Sequence, residues 1–322
     1  MIRIGVDATG GDNGSKVIVD AIKKYSSLNS DVQFVAFGNK EELKELEGKC
    51  EIVHAPDVIP MEAGPLEAMR MKNSSIYMMS QYAKEKKIDA MVSAGSTGGF
   101  LSLSTLILKT IPGVHRAAFV APFPTKIKGK KVVILDIGAS NENSPEELAQ
   151  FAVMGSLYSQ FILGVKDPKV CLLSNGTEAG KGSPSGKETY KLLKDKPYFF
   201  GNIEARNALS GECDVIVTDG FTGNIFLKSS EGMAKMMSGM MKAAFKRNLW
   251  SKIGYLHVKK GIKEMTETMD YKSTGGAMML GINGVVVKAH GNSDEYSFSC
   301  ALDVAYKLAK EDLVSKIRKS FE

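Results

Sequence analysis

Short apolar runs alternate with amphipathic stretches along almost the whole chain, and six of the apolar runs end in a glycine-rich segment. Each segment also carries small hydroxyl residues and an acid or an amide. The six segments are Asp7–Asp12, Ser93–Gly99, Asp136–Asn141, Ser174–Gly182, Asp219–Asn224 and His290–Asp294. Regular strand–helix alternation predicts an α/β fold, a largely parallel sheet with helices on both faces. Ligands bind such sheets outside the carboxyl ends of the strands, so the six segments predict a cleft for an anion, with phosphate the best fit.

The same alternation predicts the individual elements. The predicted strands are Ile2–Val6, Val32–Phe37, Glu51–His54, Ala90–Ser93, Val132–Asp136, Val170–Leu173, Tyr198–Asn202, Val215–Thr218 and Val285–Lys288. The predicted helices are Ser15–Lys24, Lys40–Leu46, Pro65–Lys86, Gly98–Lys109, Pro145–Leu163, Gly186–Lys194, Asn224–Trp250 and a last one from Glu295 to near the C-terminus. No repeat or linker-like stretch interrupts the sequence, so we expect a single domain over residues 1–322.

The charge balance and the cysteines narrow the class of protein. The 42 basic and 36 acidic residues leave a net charge of +6, which suits an anionic substrate, an acidic protein partner or an anionic membrane surface. This charge is too weak to indicate nucleic acid. The four cysteines form no CxxC pair and the histidines have no zinc-ligand spacing, so we expect reduced thiols, no metal and a cytoplasmic protein. We expect neither a signal peptide nor a membrane-spanning helix, because no apolar run is long enough.

One amphipathic stretch stands apart from the strand–helix alternation. From Met233 to Phe245 the apolar residues recur at helical spacing, with lysines on the other face, and the only tryptophan follows. We expect a projecting amphipathic helical segment at about residues 240–275. Its predicted contacts with an acyl chain, an acyl-carrying partner or a membrane are Met237, Met241, Phe245, Leu249, Trp250 and Leu256. For Met233–Phe245 the alternative is a helix that faces the core or a dimer partner and has a solvated back.

Two of the glycine-rich segments are candidate phosphate loops. Ser93–Gly99 follows a buried strand and opens a helix, and its candidate ligands are Gly95, Ser96, Thr97 and Gly98. The alternative is a tight turn that Ser96 or Thr97 caps. In Ser174–Gly182 the candidate ligands are Thr177, Gly180 and Lys181. Its spacing does not match a Walker A loop, which excludes that route to nucleotide hydrolysis, and the alternative for Lys181 is a solvated loop residue.

The last two segments carry candidate catalytic groups. Asp219 is positioned to orient a neighbouring group, and Thr222, Gly223 and Asn224 are candidate phosphate ligands. The alternative is an N-cap with turn glycines. His290 ends an apolar strand and suits an acid or base near neutral pH, although a histidine there also serves as a structural hydrogen-bonding residue. The chain contains no GxGxxG motif, which argues against a nicotinamide or flavin cofactor.

Taken in order, these motifs resemble the PlsX family, the bacterial phosphate acyltransferases of phospholipid synthesis, over nearly the whole chain. The residues that carry the resemblance are Asp7–Asp12, Lys72–Ser75, Ser93–Gly98, Asp136–Ala139, Gln150–Gly155, Gly176–Glu178 with Gly180–Gly182, Thr218–Asn224 and Gly284–Gly291. Departures from the family pattern stand at Thr9, where methionine is usual, and at Ser96 and Ser140, where asparagine is usual.

The resemblance implies an enzyme that transfers a long acyl chain from acyl carrier protein to inorganic phosphate, without a cofactor. It implies a fold like those of isocitrate and isopropylmalate dehydrogenases and of phosphotransacetylase. It also implies a homodimer, peripheral membrane association and a membrane glycerol-3-phosphate acyltransferase that uses the acyl phosphate. We expect phosphate against Gly95–Gly98 and Lys181, with Asp219 or His290 orienting the reactants. The alternatives are a phosphotransacetylase-like enzyme that uses acyl-CoA, and a non-catalytic acyl-carrier or lipid-surface scaffold.

Overall fold

The computed structural model describes residues 1–269 and 275–322, and within them the strands form a single mixed sheet. The strands are β1 (Ile2–Asp7), β2 (Val32–Gly38), β3 (Glu51–His54), β4 (Ala90–Ser93), β5 (Ala118–Pro124), β6 (Lys131–Leu135), β7 (Val170–Ser174), β8 (Phe199–Glu204), β9 (Val215–Val217), β10 (Ala277–Leu280) and β11 (Val285–Lys288). Their spatial order is β3-β2-β1-β4-β11-β10-β5-β6-β9-β7-β8. The predicted α/β fold with a largely parallel sheet is confirmed.

Helices cover both faces of this sheet. They are α1 (Gly14–Leu28), α2 (Pro65–Arg70), α3 (Ser75–Lys84), α4 (Thr97–Leu108), α5 (Pro145–Phe161), α6 (Pro184–Leu193), α7 (Gly220–Lys246), α8 (Leu249–Met269), α9 (Glu295–Lys310) and α10 (Leu313–Phe321). Apolar side chains of α1, α5, α9 and α10 pack on one face, and those of α2, α3, α4 and the start of α7 pack on the other. No helix among the described residues is long and apolar enough to cross a membrane.

Two strands, β5 and β10, divide the sheet into two parallel halves that run in opposite directions. β10 pairs antiparallel with both β11 and β5, and β5 pairs antiparallel with β6. Strands β1, β2, β3, β4 and β11 therefore run one way, and β6, β7, β8 and β9 run the other way. The carboxyl ends of the two halves consequently do not share one edge of the sheet, as a wholly parallel sheet would require.

The sequence prediction contained neither β5 nor β10. Strand β5 carries Pro122 and Pro124, and proline lacks the N–H that a ladder needs. Both prolines lie beyond the paired part of β10, which covers only Ala118–Val120 of β5. There β5 pairs with β6 alone, so it behaves locally as an edge strand. The open side of this edge becomes part of the candidate site.

Four predicted helices differ from those observed. The last one, from Glu295 to near the C-terminus, is divided into α9 and α10 by Glu311 and Asp312. Lys40–Leu46 contains only a short 3₁₀ turn, Lys44–Leu46. Pro65–Lys86 is divided into α2 and α3, because Ser74 caps a new helix by accepting a hydrogen bond from the Tyr77 N–H. Asn224–Trp250 is instead α7, which begins at Gly220 and ends at Lys246, and Trp250 belongs to α8.

Helices α7 and α8 form a hairpin that begins about 20 residues before the predicted projecting segment, at Gly220. The first turns of α7 reach the sheet, where the rings of Phe226 and Phe123 lie 5.9 Å apart. Beyond them the apolar stripe is exposed, with Met240 at 65% of its full accessibility. The core-facing alternative is wrong for Met233, Met236, Met237 and Met240, which are exposed. Met241 and Phe245 are half-buried against α8, where the rings of Phe245 and Tyr255 lie 5.3 Å apart. Residues 270–274 of the predicted segment lie outside the described residues.

Candidate active site

A cavity of about 400 Å³ lies beside β5 and β10, between the N-terminal parts of α4 and α7. Three predicted site residues, Thr97, Asn224 and His290, line it together. The proline-containing half of β5 forms one wall, at the edge that β10 leaves uncovered. Because α4 follows a strand of one half of the sheet and α7 follows a strand of the other, the cavity joins the two halves.

Four of the six glycine-rich segments contribute to this cavity. They are the segments that follow β4, β6, β9 and β11. Asp7–Asp12 and Ser174–Gly182 do not line it. Lys181, Thr177 and Gly180 are exposed on the second of these segments, where the Lys181 N–H donates to the Glu178 carbonyl. The structure therefore does not bring Lys181 to the cavity that holds Thr97, Asn224 and His290.

The buried carboxylate of Asp7 organises the loops after β1 and β4. Its Oδ1 accepts hydrogen bonds from the N–H groups of Thr9 (3.2 Å) and Gly10 (3.1 Å) and from the hydroxyls of Thr9 and Ser75. Its Oδ2 accepts from the Ser93 hydroxyl at 2.6 Å. This cluster fixes the loop that leads into α4.

The α4 loop shows which of its candidate residues remain available to a ligand. Ser96 is buried and caps α4, accepting from the Gly99 N–H at 3.2 Å and donating to the Met61 carbonyl. The capping alternative is thus correct for the Ser96 side chain. Gly95 is buried against Asp7, whereas Thr97 and Gly98 are exposed at the first turn of the helix. Backbone N–H groups at such an N-terminus favour an anion.

A second buried carboxylate, Asp136, organises the loop after β6. Its Oδ1 accepts from the N–H groups of Phe119, Gly138 and Ala139 at 2.9–3.0 Å. Its Oδ2 accepts from the N–H and the hydroxyl of Ser140 at 2.9 and 2.7 Å. Each half of the sheet thus has a buried aspartate at the end of a strand, and this aspartate accepts hydrogen bonds from the N–H and hydroxyl groups of the loop that follows.

The first turn of α7 packs directly against the Asp136 loop. Asp219 is its N-cap and accepts from the Thr222 N–H (2.8 Å) and hydroxyl (2.9 Å), as the capping alternative predicted. Gly223 is buried so closely that a Cβ atom there would lie 1.9 Å from the Asp136 carbonyl oxygen. The missing side chain of Gly223 thus allows α7 to lie close to the Asp136 backbone, and not to a ligand. Asn224, the next residue, is exposed and lines the cavity.

Sequence reasoning missed Lys288, the last residue of β11. It lines the cavity and is only 6% exposed, and burial lowers the pKa of its ammonium group to about 8, although the charges of Asp7 and Asp12 oppose this shift. The available signal was a lysine that ends an otherwise apolar strand two residues before His290. His290 itself is half-buried, and its carbonyl accepts from the Ser293 hydroxyl at 2.7 Å.

A second, larger cavity of about 920 Å³ lies between α7 and α8. Four of the predicted acyl or membrane contacts line it, namely Met241, Phe245, Leu249 and Leu256. Met237 and Trp250 lie outside its lining, and Trp250 is 80% exposed. Lysines from both helices surround this apolar groove.

The sequence is similar to known proteins over nearly its whole length. A sequence profile of the family described as "Fatty acid synthesis protein" matches residues 2–316. The chain belongs to this family. Its relatives include proteins named phosphate acyltransferase from an Exiguobacterium species, 41% identical over 99% of both chains, and from Fervidobacterium nodosum, 40% identical over 99% of this chain and 98% of the relative. The predicted membership of the PlsX family is confirmed by these matches.

Solved structures with the same fold are much less similar in sequence to this chain than the relatives named phosphate acyltransferase. A branched-chain phosphotransacylase from Enterococcus faecalis V583 has a TM-score of 0.64 at 16% identity, covering 96% of this chain and 99% of that one. A phosphotransacetylase from Streptococcus pyogenes has a TM-score of 0.63 at 17% identity, covering 96% and 94%. A putative 4-hydroxythreonine-4-phosphate dehydrogenase from Salmonella typhimurium reaches 0.54 at 11% identity, covering 96% and 99%. At these identities the likeness concerns the fold alone, and it agrees with the predicted dehydrogenase-like and phosphotransacetylase-like fold.

Proposed function

We propose that this chain is a phosphate acyltransferase that transfers a long-chain acyl group from acyl carrier protein to inorganic phosphate, giving acyl phosphate for phospholipid synthesis. The observation that supports this most is the cavity between α4 and α7. There a helix N-terminus, Thr97, Asn224 and His290 meet in a chain whose full-length relatives are named phosphate acyltransferase. Such groups suit a small anion.

The proposed chemistry requires positioning rather than a covalent enzyme intermediate. A phosphate oxygen attacks the carbonyl carbon of the thioester, the new C–O bond forms, and the C–S bond breaks to release the carrier's thiol. Phosphate is already a nucleophile and the thioester is already activated, so the protein has to hold both and stabilise the oxyanion. Thr97 and the exposed N–H groups of α4 hold phosphate, Asn224 donates a hydrogen bond, and His290 orients the reactants.

The first test is the reaction itself. We expect acyl phosphate from a long-chain acyl carrier protein thioester and inorganic phosphate, with no metal or nucleotide added. Product that forms only from acyl-CoA would instead indicate a phosphotransacetylase-like enzyme. If the folded protein leaves both thioesters intact, the enzyme proposal fails and the scaffold alternative gains support.

Lys181 remains a predicted phosphate ligand although it lies outside the cavity. Its side chain is exposed on the loop after β7, and a charge-assisted hydrogen bond from its ammonium group to phosphate would be worth about 10- to 100-fold in rate. We therefore expect Lys181→Ala to lower kcat/KM for phosphate by about this factor. Lys187→Ala, on the neighbouring helix α6, is the control that should leave it unchanged. Near-normal turnover of a folded Lys181→Ala protein would remove Lys181 from the site.

The proposal extends to the partners of the enzyme. The exposed stripe of α7, the groove between α7 and α8 and the lysines around it fit an acyl chain, an acidic carrier protein and an anionic membrane surface. We include a homodimer in the proposal, because a second copy would cover part of the stripe. A membrane glycerol-3-phosphate acyltransferase would then receive the product at the membrane surface.

The double substitution Trp250→Gln with Leu256→Gln tests the membrane contact. Both side chains are largely exposed, and burial of each in a membrane interface contributes roughly 1.5–3 kcal/mol. We expect binding to phosphatidylglycerol vesicles, measured by co-sedimentation, to fall by at least about tenfold. Leu192→Gln, on α6, is the matched control because Leu192 is also exposed but lies outside the hairpin. If the double variant kept both vesicle binding and carrier-protein kinetics, the hairpin would have another role.

A further inference from the structure

Lys288 is the only lysine or arginine that is buried among the residues that the structure describes. It ends strand β11, in register with Ser93 of β4 on one side and Ala277 of β10 on the other. Lysine is almost never fully buried unless its charge is paired, because removing an ammonium group from water is unfavourable. A buried lysine at this place therefore calls for a partner.

Residues 1–269 and 275–322 supply only one hydrogen-bond acceptor to the Lys288 ammonium group. The Nζ of Lys288 donates to the carbonyl of the next residue, Ala289, which uses one of its three donors. In the part of the chain that the structure describes, no carboxylate forms an ion pair with it. Asp7 and Asp12 act on it only through longer-range charge, and Asp7 already accepts hydrogen bonds from Ser93 and from its own loop. The lowered pKa of Lys288 reflects this incomplete compensation.

The position of Lys288 shows where the missing partner would lie. Lys288 lines the 400 Å³ cavity together with Thr97, Asn224 and His290. Its side chain lies on the same face of β11 as that of Val286, which belongs to the same apolar cluster as Phe119 of the cavity wall. The cavity is thus bordered by a buried cation, a helix N-terminus and an amide, all of which favour a bound anion. Glu231 also lines it, but its carboxylate is paired with Lys228 at 2.9 Å.

We propose that the Lys288 ammonium group binds an oxygen of the phosphate substrate in this cavity. This inference rests on the proposed function for the identity of the anion. The bound phosphate completes the hydrogen bonds of Lys288, and the ammonium charge offsets the negative charge that two anionic or electron-rich reactants bring together. A purely structural alternative, in which Lys288 only holds the Ala289 carbonyl, predicts no effect of Lys288 on phosphate affinity.

The test is the affinity for inorganic phosphate, measured by calorimetry on the full chain without an acyl donor. In Lys288→Met an unbranched apolar side chain replaces the buried cation, so we expect the fold to be retained. We expect the dissociation constant for phosphate to rise by about 10- to 100-fold, with a matching rise in the KM for phosphate and little change in the KM for the acyl donor. Lys131→Met is the control, because Lys131 is a partly buried lysine of β6 that does not line the cavity.

Each outcome decides the proposal. Phosphate affinity in a folded Lys288→Met protein equal to that of the wild type would overturn it, and so would a wild-type protein that does not bind phosphate. If Lys288→Met does not fold, reductive methylation of the wild-type protein replaces it. Phosphate must then slow modification of Lys288 but not of Lys131, and equal rates with and without phosphate would overturn the proposal. Wild-type protein that binds phosphate through Lys288 but forms no acyl phosphate would contradict the proposed function alone.

Discussion

We expect Asp136→Asn to destabilise the protein by roughly 3–5 kcal/mol, because asparagine cannot accept all of the buried hydrogen bonds that reach this side chain. Both carboxylate oxygens of Asp136 face backbone N–H groups, three at Oδ1 and one at Oδ2. An asparagine side chain has one acceptor oxygen and one NH₂ group. Whichever way the amide is turned, its NH₂ group faces at least one buried N–H donor, which is then left without an acceptor.

The loss should also reach the active site. The Asp136 loop carries Gly138, which lines the cavity and lies against Asn224. Misplacement of a site by about 1 Å lowers rates by about 100-fold, so we expect acyl phosphate formation to fall by about that factor in any Asp136→Asn protein that folds. Urea unfolding and the acyl phosphate assay measure the two effects.

Asp7→Asn is the matched control. Asp7 Oδ1 accepts from the backbone N–H groups of Thr9 and Gly10, whereas Oδ2 accepts only from the Ser93 hydroxyl. An asparagine oxygen can replace Oδ1, and the amide can donate to the Ser93 hydroxyl, which is able to rotate. The hydrogen bonds therefore predict a cost of about 1 kcal/mol, well below that of Asp136→Asn, and loss of the Asp7 charge that favours the Lys288 ammonium adds to it. Equal costs at the two positions would show that this account of the hydrogen bonds is wrong.

The sequence predicted the strands that form the two parallel halves of the sheet, although not the division itself, because these strands carry strong signals. Ala90–Ser93 and Val285–Lys288 were predicted at their observed bounds. Each is a short run of mainly apolar residues, and a glycine follows within three residues. Strand β5 gave no such signal, because Pro122 and Pro124 argue against a strand when its pairing is unknown. Without β5 and β10 the reversal of the sheet could not be predicted.

The same omission limited the prediction of the site. In a wholly parallel sheet all six glycine-rich segments would lie at one edge. The segments that line the cavity instead follow the strands nearest β5 and β10, namely β4, β11, β6 and β9, whereas those after β1 and β7 follow strands farther out and do not line it. Some of the glycines in these loops do lie close to backbone atoms, as Gly10 and Gly223 do, whereas a Cβ at Gly180 would meet no atom within 4 Å. The pattern could not distinguish a glycine that faces a ligand from one, such as Gly223, that faces a neighbouring carbonyl. Lys288 was missed because a lysine at a strand end usually lies in water.

Gly223→Ala should cost at least about 3 kcal/mol, because the first turn of α7 leaves no space for a methyl group. The added Cβ would lie 1.9 Å from the Asp136 carbonyl oxygen and 2.9 Å from Thr218 Cγ2. The nearer atom belongs to the backbone, and several hydrogen bonds to the Asp136 side chain fix this loop. Relief of the contact therefore requires α7 to shift away from the loop, and Asn224 would move with it.

Gly232→Ala, on the same helix, should have the opposite sign. A Cβ at Gly232 meets no atom within 4 Å, and alanine is favoured over glycine inside a helix by up to about 1 kcal/mol. Urea unfolding of the two variants thus separates steric contact from helix propensity. A Gly223→Ala protein as stable as Gly232→Ala would mean that α7 does not pack on the Asp136 loop, and that the cavity between α4 and α7 is not held by this contact.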